Sequence, residues 1–198
     1  MAALVGEKLA LEAVDFHPGR AHKSPAFRDL NPAGTLPVLV DGDLVLTEST
    51  AMLAYLAARS GGWSGEGPVQ VAQVQQWLAF SARLGASLGM ARLHDVLQFP
   101  ADIMAVRRAG VDCLRELEAH LTEARFAGRV FLVGSGPTIA DIACFPNVAL
   151  APDGGVDLGC YPSLRLWLRA IRSLPGFIEM PGIHRMHELS PAPALEAV

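Results

Sequence analysis

One stretch decides the fold: residues 31–49 read NPAGTLPVLVDGDLVLTES. The apolar run Leu36–Val40 predicts a strand, and Asp41-Gly42-Asp43 favours a tight hairpin turn before the returning strand Leu44–Leu46. Pro37 stands at the start of the first strand, where the lack of an N–H is tolerated. Thr47-Glu48-Ser49 then begins a helix. The stretch therefore predicts a turn, a β-hairpin and a helix in that order.

The same stretch predicts a ligand site. A proline after a glycine-containing turn is a candidate for a cis peptide bond, which would turn the N–H and C=O of Leu36 outward to pair with an extended peptide. Ser49 lies at a helix start, where free N–H groups and the helix dipole favour a carboxylate. Glu48 offers a carboxylate to an ammonium group. Alone, Glu48 and Ser49 would fit an ordinary helix start, but together with Leu36 they suit a small zwitterionic peptide.

The sequence around this stretch divides into an α/β half and an all-helical half. Leu9–Val14 is strand-like, and Ser24 and Pro25 predict a helix start, with Ser24 as the N-cap. Residues 60–68 read SGGWSGEGP, which is a linker composition. Apolar residues then recur at steps of three and four. The predicted domains are 1–62 and 63–198, and the main predicted helices of the second are Val71–Arg92, Ile103–Leu121, Thr138–Ala149 and Ser163–Leu174.

Composition limits the class of protein. Of 198 residues, 51% are hydrophobic and 18% are charged, whereas about 25% charged is typical, so the chain can bury a core. No apolar run approaches the roughly 20 residues of a membrane span, and the N-terminus does not read as a secretory signal. The net charge of −4 without a basic tract argues against nucleic acid. Three widely spaced cysteines give no metal-binding pattern and favour a reducing, cytoplasmic compartment.

Residues 31–49 resemble the N-terminal domain of the glutathione S-transferase family, which has a thioredoxin-like fold. The family pattern is Asn-Pro-x-Gly-x-Leu-Pro-x-Leu, a hairpin and Glu-Ser before a helix. The resemblance implies that Leu36 pairs its backbone with the cysteinyl part of glutathione and that Pro37 is the cis-proline. It implies that Glu48 and Ser49 hold the γ-glutamyl end. Three further glutathione contacts are implied: His22 and Lys23, at the position of a His-Lys pair that binds the glycine carboxylate in some classes, and Thr35.

The helical half resembles the family's C-terminal domain. Residues 136–143, GPTIADIA, look like its buried folding motif. Thr138 and Asp141 have the spacing of a capping box, with Asp in place of the usual Glu or Gln, so both are predicted to be structural. The resemblance runs from about Leu9 to Met180.

The sequence departs from the family at its N-terminal end. The family has a strand and a helix before the region equivalent to Leu9–Val14, and the loop between them carries the Tyr, Ser or Cys that activates the glutathione thiol. Here the first such residues are Ser24, Tyr55 and Cys113, so the catalytic residue is unknown. The N-terminal domain is expected to be truncated: either the reading frame starts late, or another segment, such as one exchanged in a dimer, fills the strand position.

The resemblance implies an enzyme that adds the glutathione sulfur to a small, apolar electrophile, with glutathione as co-substrate. From helical spacing, Leu84 and Leu88 are predicted to line the electrophile site between the two halves. The family also implies a homodimer and a role in detoxification, while charge, hydropathy and cysteine usage predict a cytoplasmic protein with no nucleic-acid or membrane partner. A non-catalytic scaffold or regulatory protein of the same fold is the main alternative. A related thiol enzyme, such as a double-bond isomerase or reductive dehalogenase, is a third.

Overall fold

The computed structural model describes residues 1–180. Its N-terminal part contains one β-hairpin and two α-helices, preceded by irregular chain. The elements are a 3₁₀ turn at Ala2–Val5, a second at Ala21–Lys23, α1 (Pro25–Leu30), β1 (Leu39–Asp41), β2 (Leu44–Leu46) and α2 (Ser49–Ser60). As predicted, Ser24 caps α1: its hydroxyl oxygen accepts from the N–H of Phe27 at 3.3 Å, and Pro25 is the first helical residue.

The predicted hairpin is present. The two strands are antiparallel, with Leu39 opposite Leu46 and Asp41 opposite Leu44. Gly42 and Asp43 form the turn, and Gly42 has a φ of +59°, which glycine adopts without steric cost. Two residues, Thr47 and Glu48, separate the end of β2 from the start of α2. The hairpin thereby fixes where the start of α2 lies relative to the chain that enters β1.

The prediction of a strand at Leu9–Val14 is wrong. This segment belongs to neither the hairpin nor any other β-ladder of residues 1–180, which contain a single two-stranded sheet. Leu9 and Leu11 are 48% and 91% exposed, so the apolar alternation does not mark a buried face here. The reason is physical: a strand needs a neighbour for its N–H and C=O groups, and the described chain supplies none beside this segment.

The helical part has five α-helices within the described residues. They are α3 (Gly67–Leu84), α4 (Met90–Leu97), α5 (Ile103–Phe126), α6 (Ile139–Ala149) and α7 (Pro162–Arg172). One π-helical turn, Gly85–Gly89, joins α3 to α4, so the predicted long helix contains an interruption that its periodicity does not reveal. No helix of residues 1–180 combines the length and the apolar character needed to cross a bilayer. The domain boundary at 62/63 stays a prediction.

The core lies in the helical part. Its largest fully buried side chains include Trp167, Leu114, Leu117 and Leu164, from α5 and α7. Helix α2 joins this core through Ala57, and Met1 packs against it from the N-terminus. A hydrogen bond from the N–H of Ile139 to the C=O of Trp63, 2.9 Å long, ties α6 to the chain between α2 and α3. The N-terminal part is thus attached to a core built mainly by α3–α7.

Asp141 is the polar centre of this core, and it makes the capping-box contacts that its spacing from Thr138 predicts. Its carboxylate is fully buried and accepts from four donors: the N–H of Thr138 at 2.8 Å, the hydroxyl of Thr138 at 3.1 Å, and the Leu132 N–H and Trp167 Nε1–H, each at 2.9 Å. The capping-box arrangement with Thr138 is present. Burial raises the pKa of Asp141, while these donors act to lower it.

Candidate glutathione site

The loop before β1 is organised by Asn31. Its side-chain Nδ2 donates to the C=O of Thr35 at 2.9 Å and to the Thr35 hydroxyl at 3.0 Å, while its Oδ1 accepts from the N–H of Ala33 at 3.1 Å. Asn31 is buried, so these bonds are shielded from water. Asn31 belongs to the family pattern, but the pattern does not reveal its role in the loop. Its polar side chain holds the residues immediately before Leu36.

Lys23 and Gly34 join this loop to the chain before α1. The Lys23 ammonium donates to the C=O of Gly34 at 2.6 Å and to the C=O of Ala33 at 3.2 Å. Gly34 has a φ of +58°, and a Cβ at this position would lie 2.8 Å from the C=O oxygen of His22. Only glycine fits this close approach. Lys23 and Thr35 therefore lie close together in a loop that hydrogen bonds from Lys23 and Asn31 hold in place.

His22 is placed behind the loop rather than on its open side. It is 7% exposed, and its ring stacks on Phe16 with centroids 4.6 Å apart. The Phe16 ring also stacks on Phe99, the second residue after α4, with ring centroids 6.0 Å apart. Phe16 thus connects His22 to the helical part. Burial, followed by the charges of Lys23 and Arg20, lowers the pKa of His22. The Nδ1 atom is buried and has no hydrogen-bond partner within the described residues.

Leu36 and Pro37 form the open side of the loop. The Leu36–Pro37 peptide bond is cis, as predicted. Leu36 is 37% exposed, and no hydrogen bond among residues 1–180 uses its N–H or C=O. These two backbone groups are thus available to an extended ligand.

Glu48 and Ser49 lie at the start of α2, as predicted. Both are exposed, and Glu48 is the N-cap residue but makes no side-chain capping bond. The first N–H groups of this 12-residue helix therefore lack a side-chain acceptor. Leu36 comes three residues before β1, and Ser49 three residues after the end of β2, the strand paired with it. The unpaired backbone of Leu36 and the N-terminus of α2 thus lie at the same end of the hairpin.

A polar cluster holds α2 against the hairpin. The Tyr55 hydroxyl donates to Asp41 at 2.6 Å, and Arg59 pairs with Asp41 and, at 3.2 Å, with Glu7. The hydrogen bond from Tyr55, with the charge of Arg59, lowers the pKa of Asp41. This cluster connects the hairpin turn, α2 and the N-terminal segment, so it positions Glu48 and Ser49 without contacting them.

The prediction for Leu84 and Leu88 is wrong. Their side chains are 0% and 1% exposed and pack in the helical core, with Leu88 against Gly110 of α5. A side chain without exposed surface cannot contact a bound electrophile. Helical spacing identifies an apolar face correctly, but a core-facing stripe and a cleft-facing stripe have the same spacing.

The first Ser, Tyr and Cys of the sequence are engaged away from the loop. Ser24 caps α1, and Tyr55 donates to Asp41. Cys113 and Cys144 are buried in the core, where burial raises the pKa of Cys144, and Cys160 is exposed in the helical part. Among residues 1–180 no group of three or more His, Cys, Asp or Glu side chains is placed to hold a metal ion.

Comparison with known proteins identifies the family. Residues 3–59 match the family model for the glutathione S-transferase N-terminal domain. Glutathione S-transferase 2 of Anopheles gambiae is 35% identical over 182 residues, which cover 89% of this chain and 84% of that protein. The chain belongs to the glutathione S-transferase family. A second relative, the probable elongation factor 1-gamma 2 of Arabidopsis thaliana, is 34% identical over 143 residues, 70% of this chain and 34% of that protein.

Solved structures show the same fold. A possible glutathione S-transferase from Rhodopseudomonas palustris superposes with a TM-score of 0.81 at 26% identity, covering 96% of this chain and 90% of that one. The predicted fold class is thereby confirmed: a thioredoxin-like glutathione S-transferase N-terminal domain, here with a two-stranded sheet, is followed by the family's helical domain.

Proposed function

We propose that this glutathione S-transferase family member binds glutathione between the loop at Leu36 and the start of α2. The observation that supports the proposal is that two sets of backbone groups without hydrogen-bond partners lie at the same end of the hairpin. The N–H and C=O of Leu36 are unpaired within the described chain, and the N-terminus of α2 has no side-chain cap. A tripeptide with a free amino group and two carboxylates complements both.

Each part of glutathione has a partner in this proposal. The backbone of Leu36 pairs with the cysteinyl residue, and Pro37 shapes the wall beside it. Ser49 and the first N–H groups of α2 hold the γ-glutamyl carboxylate, and Glu48 receives the ammonium group. Each charge-assisted hydrogen bond of this kind contributes roughly 1.5–3 kcal/mol.

The glycine carboxylate is assigned to Lys23, with Thr35 beside it. Two of the three donors of the Lys23 ammonium hold the loop, so one remains for a ligand. His22, the other member of the predicted pair, is buried and stacks on Phe16. We therefore assign His22 the role of supporting the loop rather than contacting the carboxylate.

The proposed reaction is addition of the glutathione sulfur to an electrophilic carbon of a small apolar compound. With an aryl chloride, the C–S bond forms, chloride leaves with the C–Cl electron pair, and the thiol proton passes to water. The thiolate is the nucleophile, and a free thiol near pKa 8.5 is largely protonated at neutral pH. Orientation of the bound tripeptide is the contribution that the described residues explain.

Calorimetric titration with glutathione tests binding, and Glu48→Gln tests the site. We expect the variant to bind at least about tenfold more weakly because the ammonium loses its counter-charge. Glu66→Gln is the matched control: Glu66 is the exposed N-cap residue of α3, also without a side-chain capping bond. Equal affinity of the two variants, or no binding by the parent at millimolar glutathione, would refute the proposal.

A non-catalytic scaffold or regulatory role is the second candidate. It is favoured by the engagement of Ser24 and Tyr55 in other bonds and the burial of Cys113. The similarity to an elongation factor 1-gamma protein also supports it. Turnover of chlorodinitrobenzene separates the two: a rate above that of free glutathione supports the transferase, and an equal rate with intact glutathione binding supports the scaffold.

We further propose a cytoplasmic homodimer in which the N-terminal half of one copy contacts the helical half of the other. Exposed apolar side chains on both halves support it, including Val45 on β2 and Val69 on α3. Light scattering measures the mass in solution, and a mass of one chain at micromolar concentration would contradict the dimer. Cell fractionation checks the compartment.

A further inference from the structure

Residues 8–14, which read KLALEAV and are called the 8–14 segment below, have a backbone without partners. None of their N–H or C=O groups is hydrogen-bonded within residues 1–180. The chain is held on both sides of the segment: Glu7 pairs with Arg59 at 3.2 Å, and the C=O of Asp15 accepts from the N–H of Ala21 at 2.7 Å. The segment is therefore fixed at its two ends, while the backbone between them can accept a partner.

The first strand of the hairpin has an open edge, called the β1 edge below. In an antiparallel hairpin with a two-residue turn, the residues flanking the turn exchange hydrogen bonds and the next pair does not. Asp41 and Leu44 are the flanking pair. The N–H and C=O of Val40 therefore point away from β2, and those of Val38 lie on the same edge. No hydrogen bond outside the hairpin uses these groups within the described chain, so the β1 edge is a template for another strand.

The 8–14 segment and the β1 edge have matching apolar patterns. In an extended conformation, Leu9, Leu11 and Ala13 share one face of the segment. An antiparallel register that sets Leu11 opposite Val40 also sets Ala13 opposite Val38. Leu11 and Val40 are 91% and 55% exposed, so this cross-strand pair buries apolar surface that the single chain leaves in water.

Charge favours the same antiparallel register. It brings Lys8 to the hairpin turn, opposite Asp43. Both side chains are exposed, and neither forms an ion pair among residues 1–180. A parallel register with the same apolar pair would instead set Glu12 opposite Asp41, and two carboxylates in this position repel each other. The antiparallel orientation therefore pairs opposite charges as well as apolar side chains.

We infer that the 8–14 segment of one copy pairs, antiparallel, with the β1 edge of a second copy. Within one chain the segment and β1 share no ladder, whereas a second copy brings the same segment and the same edge. One two-fold axis therefore forms both contacts at once. The added strand covers Val38 and Val40 and stops short of Leu36, which stays available to glutathione. This interface joins two N-terminal halves, so it is distinct from the dimer contact proposed above, and it does not depend on glutathione binding.

Amide hydrogen exchange followed by NMR at low and at high micromolar protein concentration tests the pairing. We expect the higher concentration to slow exchange at least tenfold at the N–H groups of Leu11, Ala13, Val38 and Val40. Leu11→Pro removes an N–H that faces β1 and should abolish this protection. Ala10→Pro is the matched control, because the N–H of Ala10 faces away from β1, and it should keep the protection. Exchange that does not change with concentration, or equal loss of protection in both variants, would overturn the inference.

A disulfide between two different variants tests whether the pairing joins separate copies. Leu11→Cys and Val40→Cys are made separately in a Cys160→Ser background, because Cys160 is the exposed cysteine of the described residues. After mixing and air oxidation, we expect the mixed disulfide to be the main linked species, since opposite Cα atoms about 5.5 Å apart suit the bond. Met104→Cys, at an exposed position of α5, replaces Val40→Cys in the control mixture and should give little mixed disulfide. Equal yields in the two mixtures, or a disulfide within one chain when both changes are combined, would contradict pairing between copies.

Discussion

The two halves of the molecule divide stability and binding between them. Among the described residues, the buried apolar side chains before residue 63 are Met52, Leu56 and Ala57, all on α2, whereas the helical half contributes the rest of the core. The N-terminal half instead exposes apolar residues, including Leu11, Leu36 and Val40. It also presents the unpaired backbone of Leu36. The half that displays ligand-binding groups is the half with little core of its own.

This difference follows from the different requirements of a stable core and of a ligand-binding surface. A two-stranded hairpin is marginally stable alone, so the N-terminal half depends on α2 docking against the helical core. Ligand-binding groups must remain unpaired until the ligand arrives, and such regions have low local stability. Substitutions in the helical half should therefore change global stability, and those in the loop should change glutathione affinity.

The largest effect is expected from Asp141→Ala. Removing this carboxylate leaves three buried N–H donors, from Thr138, Leu132 and Trp167, without their acceptor. We expect the free energy of unfolding to fall by about 3–5 kcal/mol, measured by urea denaturation, because each buried unsatisfied donor costs roughly 1–3 kcal/mol. The control Asp157→Asn changes an exposed carboxylate and should stay within about 0.5 kcal/mol. A similar loss of unfolding free energy in both variants would contradict the stabilising role of the buried Asp141 carboxylate.

Gly34→Ala should act on binding rather than on global stability. The added Cβ would lie 2.8 Å from the C=O of His22, at a φ of +58°. We expect glutathione affinity by calorimetry to fall by at least tenfold, with a small change in the melting temperature. Gly42→Ala is the control because Gly42 has nearly the same φ, +59°, but open space around it. A large drop in melting temperature with unchanged affinity would contradict the account.

Ser49→Ala should have a smaller effect. The variant loses one hydroxyl donor but keeps the N–H groups of α2, so we expect about fivefold weaker glutathione binding, or roughly 1 kcal/mol. Ser60→Ala, at the other end of α2, removes a hydroxyl that donates to the C=O of Ala57 and should leave binding unchanged. Titration calorimetry measures the glutathione affinity of both variants, and equal affinities would show that Ser49 does not contact glutathione.

The smallest expected effect is a pH dependence from His22. Its pKa in the folded protein lies below the ordinary value of 6.5, because burial and the charges of Lys23 and Arg20 disfavour the charged form. The contribution of neutral His22 to the free energy of unfolding is therefore fully present above pH 6.5. It is lost as the pH falls from 6.5 towards the folded-state pKa. Urea unfolding at pH 7.5 and 5.5 should show a smaller pH effect for His22→Gln than for the parent. His17→Gln, a change at a neighbouring exposed histidine, should behave as the parent does.

Local sequence chemistry was sufficient to predict the hairpin, the helix starts and the folding motif. Gly42 and Asp43 make the turn, Ser24 and Pro25 start α1, and Thr138 and Asp141 form the capping box. Each of these depends on residues only a few positions apart. The family resemblance added the loop at Leu36 and its cis peptide bond, and both the family and the bond are confirmed.

The features that sequence reasoning missed depend on contacts between distant segments. Leu9–Val14 has the composition of a strand, but a strand also requires a neighbour, which the pattern cannot supply. Leu84 and Leu88 are apolar at helical spacing, and only the packing of α5 shows that they face the core. Asn31 is one polar residue in a turn until the structure shows it bonding Thr35. Its position before the Gly34 turn was the available signal.

Amide hydrogen exchange with and without glutathione tests the central claim most directly. We predict that saturating glutathione slows exchange in residues 34–38 and 48–51, because the N–H of Leu36 and those at the start of α2 gain acceptors. Exchange in α5 and α7 should stay unchanged. Unchanged exchange at Leu36 and Ser49 under saturating glutathione, or protection confined to the helical half, would contradict the claim that the loop and α2 form the binding site.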